Sequence, residues 1–318
     1  MSIQHVILVG KSKRKTGTTR FMMKALRRRV TKATFINVPR LRKLYFWTDY
    51  CRVIAKKIRR ANPDLVISYS KDLPYTVLQQ ISPSVKTAMF YGDTIEPFHA
   101  DVLRHARKVD YLFVINRTYP AQYRDLGVKR AVFITQGCDR DEHRIVASRN
   151  PKWASEVAFI GRPHSDFRIR LLQLVHKHHQ LKVWGGEWER FGLSCRKKHI
   201  YPDEFAKICH AAKIFLGCDY DPKLECYITI RTWYALGCGA FLLTNYLPGL
   251  ETFFTKGVQL DWYESPQECL DLIDYYLKHE QQRQRIAQTG FEWVHSRRTY
   301  DVVMDELISR IENDETAP

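Results

Sequence analysis

Short apolar runs recur along this chain, and each is followed by a loop or by a stretch with helical spacing. The first half contains runs at residues 5–10, 34–38, 64–68, 87–91, 111–115 and 131–135. Further runs lie at residues 156–160, 181–184, 212–216, 240–244 and 258–260. Buried strands that alternate with helices are typical of a parallel sheet with helices on both faces. The pattern therefore predicts an α/β fold.

A polar stretch at residues 138–152 separates the two series of runs. A chain of 318 residues also exceeds the usual size of a single core. We therefore predict two domains, residues 1–150 and residues 151–318. The pattern after residue 265 predicts three helices, one from Pro266, one over 279–290 and one over 300–311.

Positive charge is concentrated in the first predicted domain. Residues 1–150 hold 30 Lys and Arg against 11 Asp and Glu, whereas residues 151–318 hold 21 against 23. Residues 11–60 contain 18 basic residues and one acid, Asp49. Such a charge attracts nucleic acid, an anionic membrane or a phosphorylated glycan. Solubility alone does not require so one-sided a distribution, so we interpret the charge as functional.

Within this basic region, apolar residues at helical spacing between Leu41 and Ile58 predict a basic amphipathic segment. The segment also contains Phe46, Trp47 and Tyr50. Aromatic residues among basic ones suit a membrane interface, and they suit nucleic acid as well, because rings stack on bases.

A basic loop follows the first predicted strand and contains Lys11, Lys13, Arg14 and Lys15. It lacks the glycine that a P-loop has five residues before the lysine. An anionic substrate could nevertheless bind to such a loop at the end of a strand.

The eight cysteines form no C-x-x-C pair and no zinc-like spacing, which predicts free thiols in a reducing compartment. No apolar run approaches the roughly 18 residues that cross a bilayer, and the first residues turn polar too soon for a secretory signal. We therefore expect a cytoplasmic protein, which could lie peripherally at the inner membrane surface.

Glycine turns follow the strands that open the second predicted domain, in Phe159-Ile-Gly-Arg-Pro163 and in Trp184-Gly-Gly-Glu-Trp188. Glycine lets main-chain N–H groups approach a phosphate, and an arginine can pair with a diphosphate. Open α/β sheets bind ligands at the carboxyl ends of their strands. The candidate ligand-binding residues are therefore Gly161, Arg162, Trp184, Gly185 and Gly186. Core tryptophans beside ordinary turns are the alternative.

A Tyr-led helix then runs from Tyr201 into the next strand, and residues Arg231–Glu251 join a helix, a glycine break, a buried strand and a Pro-Gly-Leu-Glu turn. In this order the chain resembles the CgeB-like (spore-maturation type) branch of group 1 glycosyltransferases, most strongly over residues 157–300. The resemblance implies the GT-B fold, in which two Rossmann-like parallel-sheet domains face a central cleft. It also implies C-terminal helices that pack back on the N-terminal domain.

The resemblance further implies that the second domain binds a nucleotide-sugar donor, a UDP- or GDP-sugar, and that the first domain binds the acceptor. The matching donor positions are Gly161, Arg162 and Arg231 for the diphosphate, Tyr201 for the base, and Gly249, Leu250 and Glu251 for the sugar. The acceptor would meet Lys11, Lys13, Arg14, Lys15 and Trp47.

One position departs from the family pattern. The family usually has a glutamate that binds the ribose hydroxyls, and this chain has Tyr234 there. A phenol cannot accept two hydrogen bonds as a bidentate carboxylate does. An inactive relative that only binds nucleic acid or a nucleotide sugar is therefore an alternative to an active transferase.

Inverting sugar transfer also needs a base near the acceptor hydroxyl. Asp93, which follows the fourth strand, is our leading candidate and His99 the second, although Asp93 could instead cap the next helix. Asp219 and Asp221 form an Asp-x-Asp pair of a kind that can bind a divalent ion. We interpret the pair as part of a loop that shapes the cleft, and expect neither a metal nor another cofactor.

The acceptor stays open at this stage. A lipid-linked or surface glycan is slightly favoured because such acceptors are commoner in the family. Nucleic acid, such as modified bases of phage-type DNA, is the alternative.

Overall fold

A computed structural model describes residues 2–12, 17–93, 97–148, 150–219 and 224–314. The chain forms two compact units, of which the first comprises residues 1–136 and 300–318 and the second residues 137–299. Each unit is built around a parallel sheet.

The strands of the first unit are β1 (His5–Gly10), β2 (Lys32–Asn37), β3 (Leu65–Tyr69), β4 (Lys86–Tyr91), β5 (Tyr111–Val114) and β6 (Ala131–Phe133). They pair in the order β2-β1-β3-β4-β5-β6. The helices between them are α1 (Thr18–Arg29), α2 (Val38–Leu44), α3 (Tyr50–Ala61), α4 (Tyr75–Leu78), α5 (Ala100–Ala106) and α6 (Tyr119–Asp125).

The strands of the second unit are β7 (Ser155–Ile160), β8 (Leu181–Trp184), β9 (Ala212–Leu216), β10 (Leu242–Asn245) and β11 (Asp261–Tyr263). Their order is β11-β10-β9-β7-β8. The helices are α7 (Asp166–His178), α8 (Pro202–Ala211), α9 (Ile230–Gly237), α10 (Pro266–Lys278) and α11 (Glu280–Arg297), with short 3₁₀ helices at Trp188–Phe191 and Leu250–Thr252. Together with the first sheet, this architecture confirms the predicted α/β fold.

The central strands are apolar on both faces because helices cover both sides of each sheet. In β1, Val6, Ile7, Leu8 and Val9 are all at most 1% exposed. Continuous burial of this kind explains why the strands appear in the sequence as unbroken apolar runs.

The last helix, α12 (Tyr300–Glu312), returns to the first unit. The Tyr300 ring stacks on Phe21 of α1 at 5.9 Å, and Arg28 of α1 pairs with Asp301 at 2.9 Å. The predicted return of C-terminal helices is therefore confirmed for α12, whereas α10 and α11 belong to the second unit.

The structure corrects three boundaries. The first unit ends at Gln136 instead of residue 150, because the Cys138 N–H donates to the Arg298 carbonyl (2.9 Å) and so ties the following chain to the second unit. The strand expected at 258–260 lies at Asp261–Tyr263. The segment expected as one amphipathic stretch is divided into α2 and α3.

The division between α2 and α3 has a local cause. The Asp49 carboxylate accepts the Cys51 N–H at 2.9 Å and caps the start of α3. A capped start after a turn allows the chain to change direction between two helices. Within the described part of the chain, no helix combines the length and the apolar character that a bilayer crossing demands.

Candidate functional site

Two glycine turns of the second unit touch each other where β7 and β8 end. The Gly161 N–H donates to the Trp184 carbonyl at 2.9 Å. Gly185 has a φ of +89°, and an added Cβ there would lie 3.2 Å from the Gly161 nitrogen. Neighbouring parallel strands end at the same edge of a sheet, and the contact between these two turns agrees with that expectation.

A cavity of about 410 Å³ opens beside these turns. It is lined by Arg162, Pro163, His164, Gly185, Gly186, Glu187, Arg190, Phe191, Lys198 and His199. We call it the β7–β8 pocket. Its volume lies within the range of small-molecule sites, and its charged side chains are three cations and one carboxylate. The pocket therefore suits an anionic ligand.

Arg231 in α9 lies against the turn that follows β7. Its Nη1 donates to the Ile160 carbonyl (2.8 Å) and its Nη2 to the Cys218 carbonyl (3.3 Å). Nη2 also lies 3.8 Å from Oδ1 of Asp219, and the Arg231 side chain is only 14% exposed. An added Cβ at Gly161 would collide with Nη1. Glycine at position 161 is therefore what allows Arg231 to occupy this place.

Arg168 in α7 binds the same two turns and is 4% exposed. Its Nε and Nη2 donate to the Cys218 carbonyl at 3.0 and 2.7 Å, and its Nη1 donates to the Arg162 carbonyl at 2.7 Å. The guanidinium groups of Arg168 and Arg231 lie 5.7 and 5.0 Å from the centre of the Phe159 ring. Two buried cations thus converge where β7 and β9 end. Arg231 was predicted from the sequence, whereas Arg168 was not.

Asp219 belongs to this cluster. Its side chain is buried, its N–H donates to Oδ1 of Asn245 at 2.7 Å, and burial raises the pKa of its carboxyl against the opposing effect of the Arg231 charge. Asp221, the other acid of the predicted loop, lies outside the described residues. Asp219 therefore compensates part of the buried positive charge.

His164 lies on the wall of the pocket next to these arginines. Partial burial lowers the pKa of His164. The neighbouring positive charges lower it further, and they belong to Arg168, Arg162 and Arg231. An anion in the pocket would oppose that shift, since it would stabilise the protonated imidazole. His164 was not among the predicted site residues, although it stands three residues after Gly161.

The structure corrects the prediction for Trp184. Its ring is 1% exposed and packs in a core cluster, so it offers no flat surface to a ligand. Trp188 is also fully buried, but its Nε1 donates to the Gly161 carbonyl at 2.8 Å. Trp188 therefore stabilises the turn of the pocket from inside the core. The core position that was the alternative for these tryptophans is therefore the one that both occupy.

Tyr201 and the Gly249–Glu251 turn are not among the described residues that line the β7–β8 pocket. Tyr201 precedes α8, is 44% exposed, and has the Lys197 ammonium 5.4 Å from its ring centre. Leu250 is buried, whereas Glu251 accepts a hydrogen bond from the Tyr246 hydroxyl at 3.1 Å. The Gly249–Glu251 turn follows β10, whereas Tyr201 lies in the connection between β8 and α8.

Tyr234 lies one turn after Arg231 in α9. Its ring stacks on His143 with centres 3.8 Å apart and an angle of 18° between the planes. It also meets Phe205 edge to face at 6.2 Å. The aromatic ring that replaces the expected glutamate therefore contributes to packing in the second unit.

The first unit contains the predicted base and part of the predicted acceptor site. Asp93 is exposed and follows β4. The pKa of Tyr69 is raised mainly by burial, and the negative charge of Asp93 raises it further. His99 caps α5, where its Nδ1 accepts the Asp101 N–H at 3.3 Å. The capping role considered for Asp93 is thus filled at α5 by His99.

Lys11 follows β1 and pairs with Asp72, with 2.9 Å between Nζ and Oδ1. Trp47 lies in the turn between α2 and α3 and is 66% exposed. The other predicted acceptor residues of the basic loop, Lys13, Arg14 and Lys15, lie outside the described residues.

Comparison with known proteins gives one family and many structures. Residues 167–309 match the glycosyl transferase-like family. No curated protein matches the chain.

Three solved structures illustrate the similarity. An alpha-glucosyltransferase in complex with UDP-glucose and DNA has a TM-score of 0.71 and 8% identity, and the match covers 98% of this chain and 99% of that one. Sucrose-phosphate synthase from Thermosynechococcus elongatus has a TM-score of 0.70 and 12% identity, with 98% and 100% covered. HepE from Anabaena, in complex with UDP and glucose, has a TM-score of 0.68 and 11% identity, with 98% and 100% covered.

At these identities the structural similarity establishes the fold. The two parallel-sheet units are those of the GT-B architecture, as the sequence predicts. The chain thus has a GT-B fold, and most of its second unit matches the glycosyl transferase-like family.

Proposed function

We propose that this protein is a glycosyltransferase that binds a nucleoside diphosphate sugar in the β7–β8 pocket. The observation that carries the proposal is the cationic pocket at the carboxyl ends of β7 and β8, with two buried arginines beside its glycine turn. The family match supports the activity, and the UDP or UDP-glucose in two of the similar structures supports the donor class.

In this proposal the diphosphate lies near Gly161, Arg162 and the N-terminal end of α7. Main-chain N–H groups and the positive end of the helix dipole attract phosphate there. Arg231 and Arg168 stabilise the negative charge that develops on the leaving diphosphate. The remaining donor contacts are proposed for Gly185, Gly186, Tyr201, Gly249, Leu250 and Glu251.

The chemical step joins an acceptor oxygen to the anomeric carbon of the sugar. The bond from that carbon to the diphosphate breaks, and the nucleoside diphosphate leaves. We propose that the Asp93 carboxylate takes the hydroxyl proton, with His99 as the second candidate. Lys11 and Trp47 would contact the acceptor.

The acceptor is proposed to be anionic, with a lipid-linked or surface glycan favoured. DNA is the second candidate, supported by the alpha-glucosyltransferase that binds DNA. Placement in the CgeB-like branch is likewise a proposal, and it rests on residues 231–251.

Calorimetry with UDP-glucose, and with GDP-, TDP- and CMP-sugars, tests donor binding. We expect one of these donors to bind, and Arg162→Gln to weaken its binding about tenfold or more through loss of a charged contact. Arg170→Gln removes an exposed arginine from α7 and serves as the matched control. Equal binding by both variants would contradict the assignment of the pocket.

Turnover needs a separate measurement. Release of nucleoside diphosphate is followed with the donor that binds, alone and with membrane extracts or modified DNA. Binding without hydrolysis or transfer in any mixture would support the alternative of an inactive relative.

A further inference from the structure

The turn between α2 and α3 presents large apolar side chains to solvent. Leu44, Phe46 and Trp47 are 51%, 79% and 66% exposed. The rings of Phe46 and Trp47 pack edge to face, with centres 4.7 Å apart. We call residues 44–47 the apolar tip. Exposed apolar groups that cluster in this way indicate a surface that binds a partner.

Basic side chains surround the tip in sequence and are exposed on α2 and α3. They are Arg40, Arg42, Lys43, Arg52, Lys56, Lys57, Arg59 and Arg60. The acid of this segment, Asp49, caps α3 and lies 3.6 Å from Arg52. The partner of the tip must therefore carry negative charge.

The tip stands on a helix that is fixed to the first unit. Ile54 and Ile58 of α3 are at most 3% exposed and pack in its core. Because the apolar face of α3 is already buried in the core of the first unit, this helix has no apolar face left to insert into a partner. Only the turn before it is available to enter an apolar medium.

A groove of about 590 Å³ lies beside the tip. Its apolar lining includes Phe35, Leu41 and Leu44, and Arg40 and Lys57 also line it. An apolar surface bordered by cations matches the acyl chains and the headgroup of an anionic lipid.

We propose that the apolar tip and its basic side chains dock the protein on an anionic lipid bilayer. Nucleic acid fits the charge and the rings of Phe35, Phe46 and Trp47, but it makes no use of the aliphatic side chains of Leu41 and Leu44. An aromatic and aliphatic turn among basic residues is suited to the bilayer interface, where apolar groups insert and cations meet lipid phosphates. The proposal does not depend on transferase activity, since docking is measured without a donor.

The test is cosedimentation of the full chain with vesicles of phosphatidylcholine alone, or with about a third phosphatidylglycerol. We expect binding to the anionic vesicles, and a loss of about tenfold or more in the double variant Phe46→Ser/Trp47→Ser. Lys56→Gln/Lys57→Gln should weaken binding by a similar factor, since it removes two cations that would meet the anionic lipid headgroups. Unchanged binding in either variant would overturn the proposal.

Matched controls separate docking from general effects. Leu126→Ser changes another exposed apolar residue of the first unit, and Lys108→Gln/Lys129→Gln removes the same charge elsewhere on it. Both should bind as the wild type does. A Trp47→Leu variant keeps an apolar side chain, so it should bind vesicles while losing the blue shift of the Trp47 fluorescence.

Duplex DNA is the competing partner. Binding to DNA that weakens steeply with salt, together with no binding to anionic vesicles, would contradict the membrane proposal and favour nucleic acid.

Discussion

Arg231 joins three features that a shorter or more flexible cation could not join at once. Its guanidinium reaches the carbonyls at the ends of β7 and β9 and lies beside the buried Asp219 carboxylate. The planar guanidinium presents several donors in a fixed geometry, whereas a lysine would present a single ammonium. Arg231 therefore supports the turn of the pocket in addition to supplying charge.

Arg231→Gln should lower the free energy of unfolding by about 3–5 kcal/mol, because it leaves Asp219 buried without its cation. Asp219→Asn should cost less, and the double variant should recover part of the loss. Urea unfolding measures all three. Arg190→Gln breaks an exposed pair with Glu187 and should change stability by less than about 1 kcal/mol. A loss in Arg231→Gln no larger than in this control would contradict the role.

We predict that donor binding depends on pH through His164. Its pKa is lowered in the free protein, and a bound diphosphate would raise it, so binding should take up a proton. The affinity for UDP-glucose should therefore increase as pH falls from 8 towards 6. Calorimetry across this range should show a flatter profile for His164→Gln. A variant profile as steep as that of the wild type would exclude His164 as the titrating group.

Helix α12 completes the first unit across a long separation in sequence. Leu307 and Met304 are fully buried, and the helix packs on α1 through Tyr300 and Asp301. The fold of the first unit therefore depends on residues that follow the whole second unit.

Leu307→Ala should destabilise the first unit by about 2–5 kcal/mol through the lost contacts and the cavity. Hydrogen exchange of β1 amides measures this effect within the first unit. Leu126→Ala truncates a leucine that is 38% exposed and should have little effect. Equal protection of β1 in both variants would show that α12 is dispensable for this unit.

The sequence predicts most strands because their residues are apolar on both faces. It misplaces β11 because that strand begins with Asp261, a buried acid whose carboxylate accepts the Tyr276 hydroxyl. A polar residue with its own buried partner interrupts the apolar pattern, so the strand appears three residues early. The glycine turns were predictable from the shared edge of parallel strands. The convergence of Arg168 and Arg231 could not be predicted from the sequence, because it depends on how α7 and α9 pack.

All eight cysteines of the molecule are free thiols. Cys51, Cys195 and Cys226 are half-buried, and the other five are buried. Burial also raises the pKa of Cys218 to about 11, which further lowers its reactivity.

A thiol reagent at pH 8 should therefore modify at most three cysteines of the folded protein rapidly. All eight should react after unfolding in urea. Rapid reaction of more than three thiols in the folded protein would contradict the described burial.

The return of α12 to the first unit also sets an order of events during synthesis. A ribosome completes residues 137–299 before it makes α12, so the second unit is fully synthesised while the first still lacks a helix. Until then the surface of α1 around Phe21 has no cover. The nascent first unit therefore exposes an apolar surface for the time needed to translate the second unit, and that interval is when it is most open to chaperones and to aggregation.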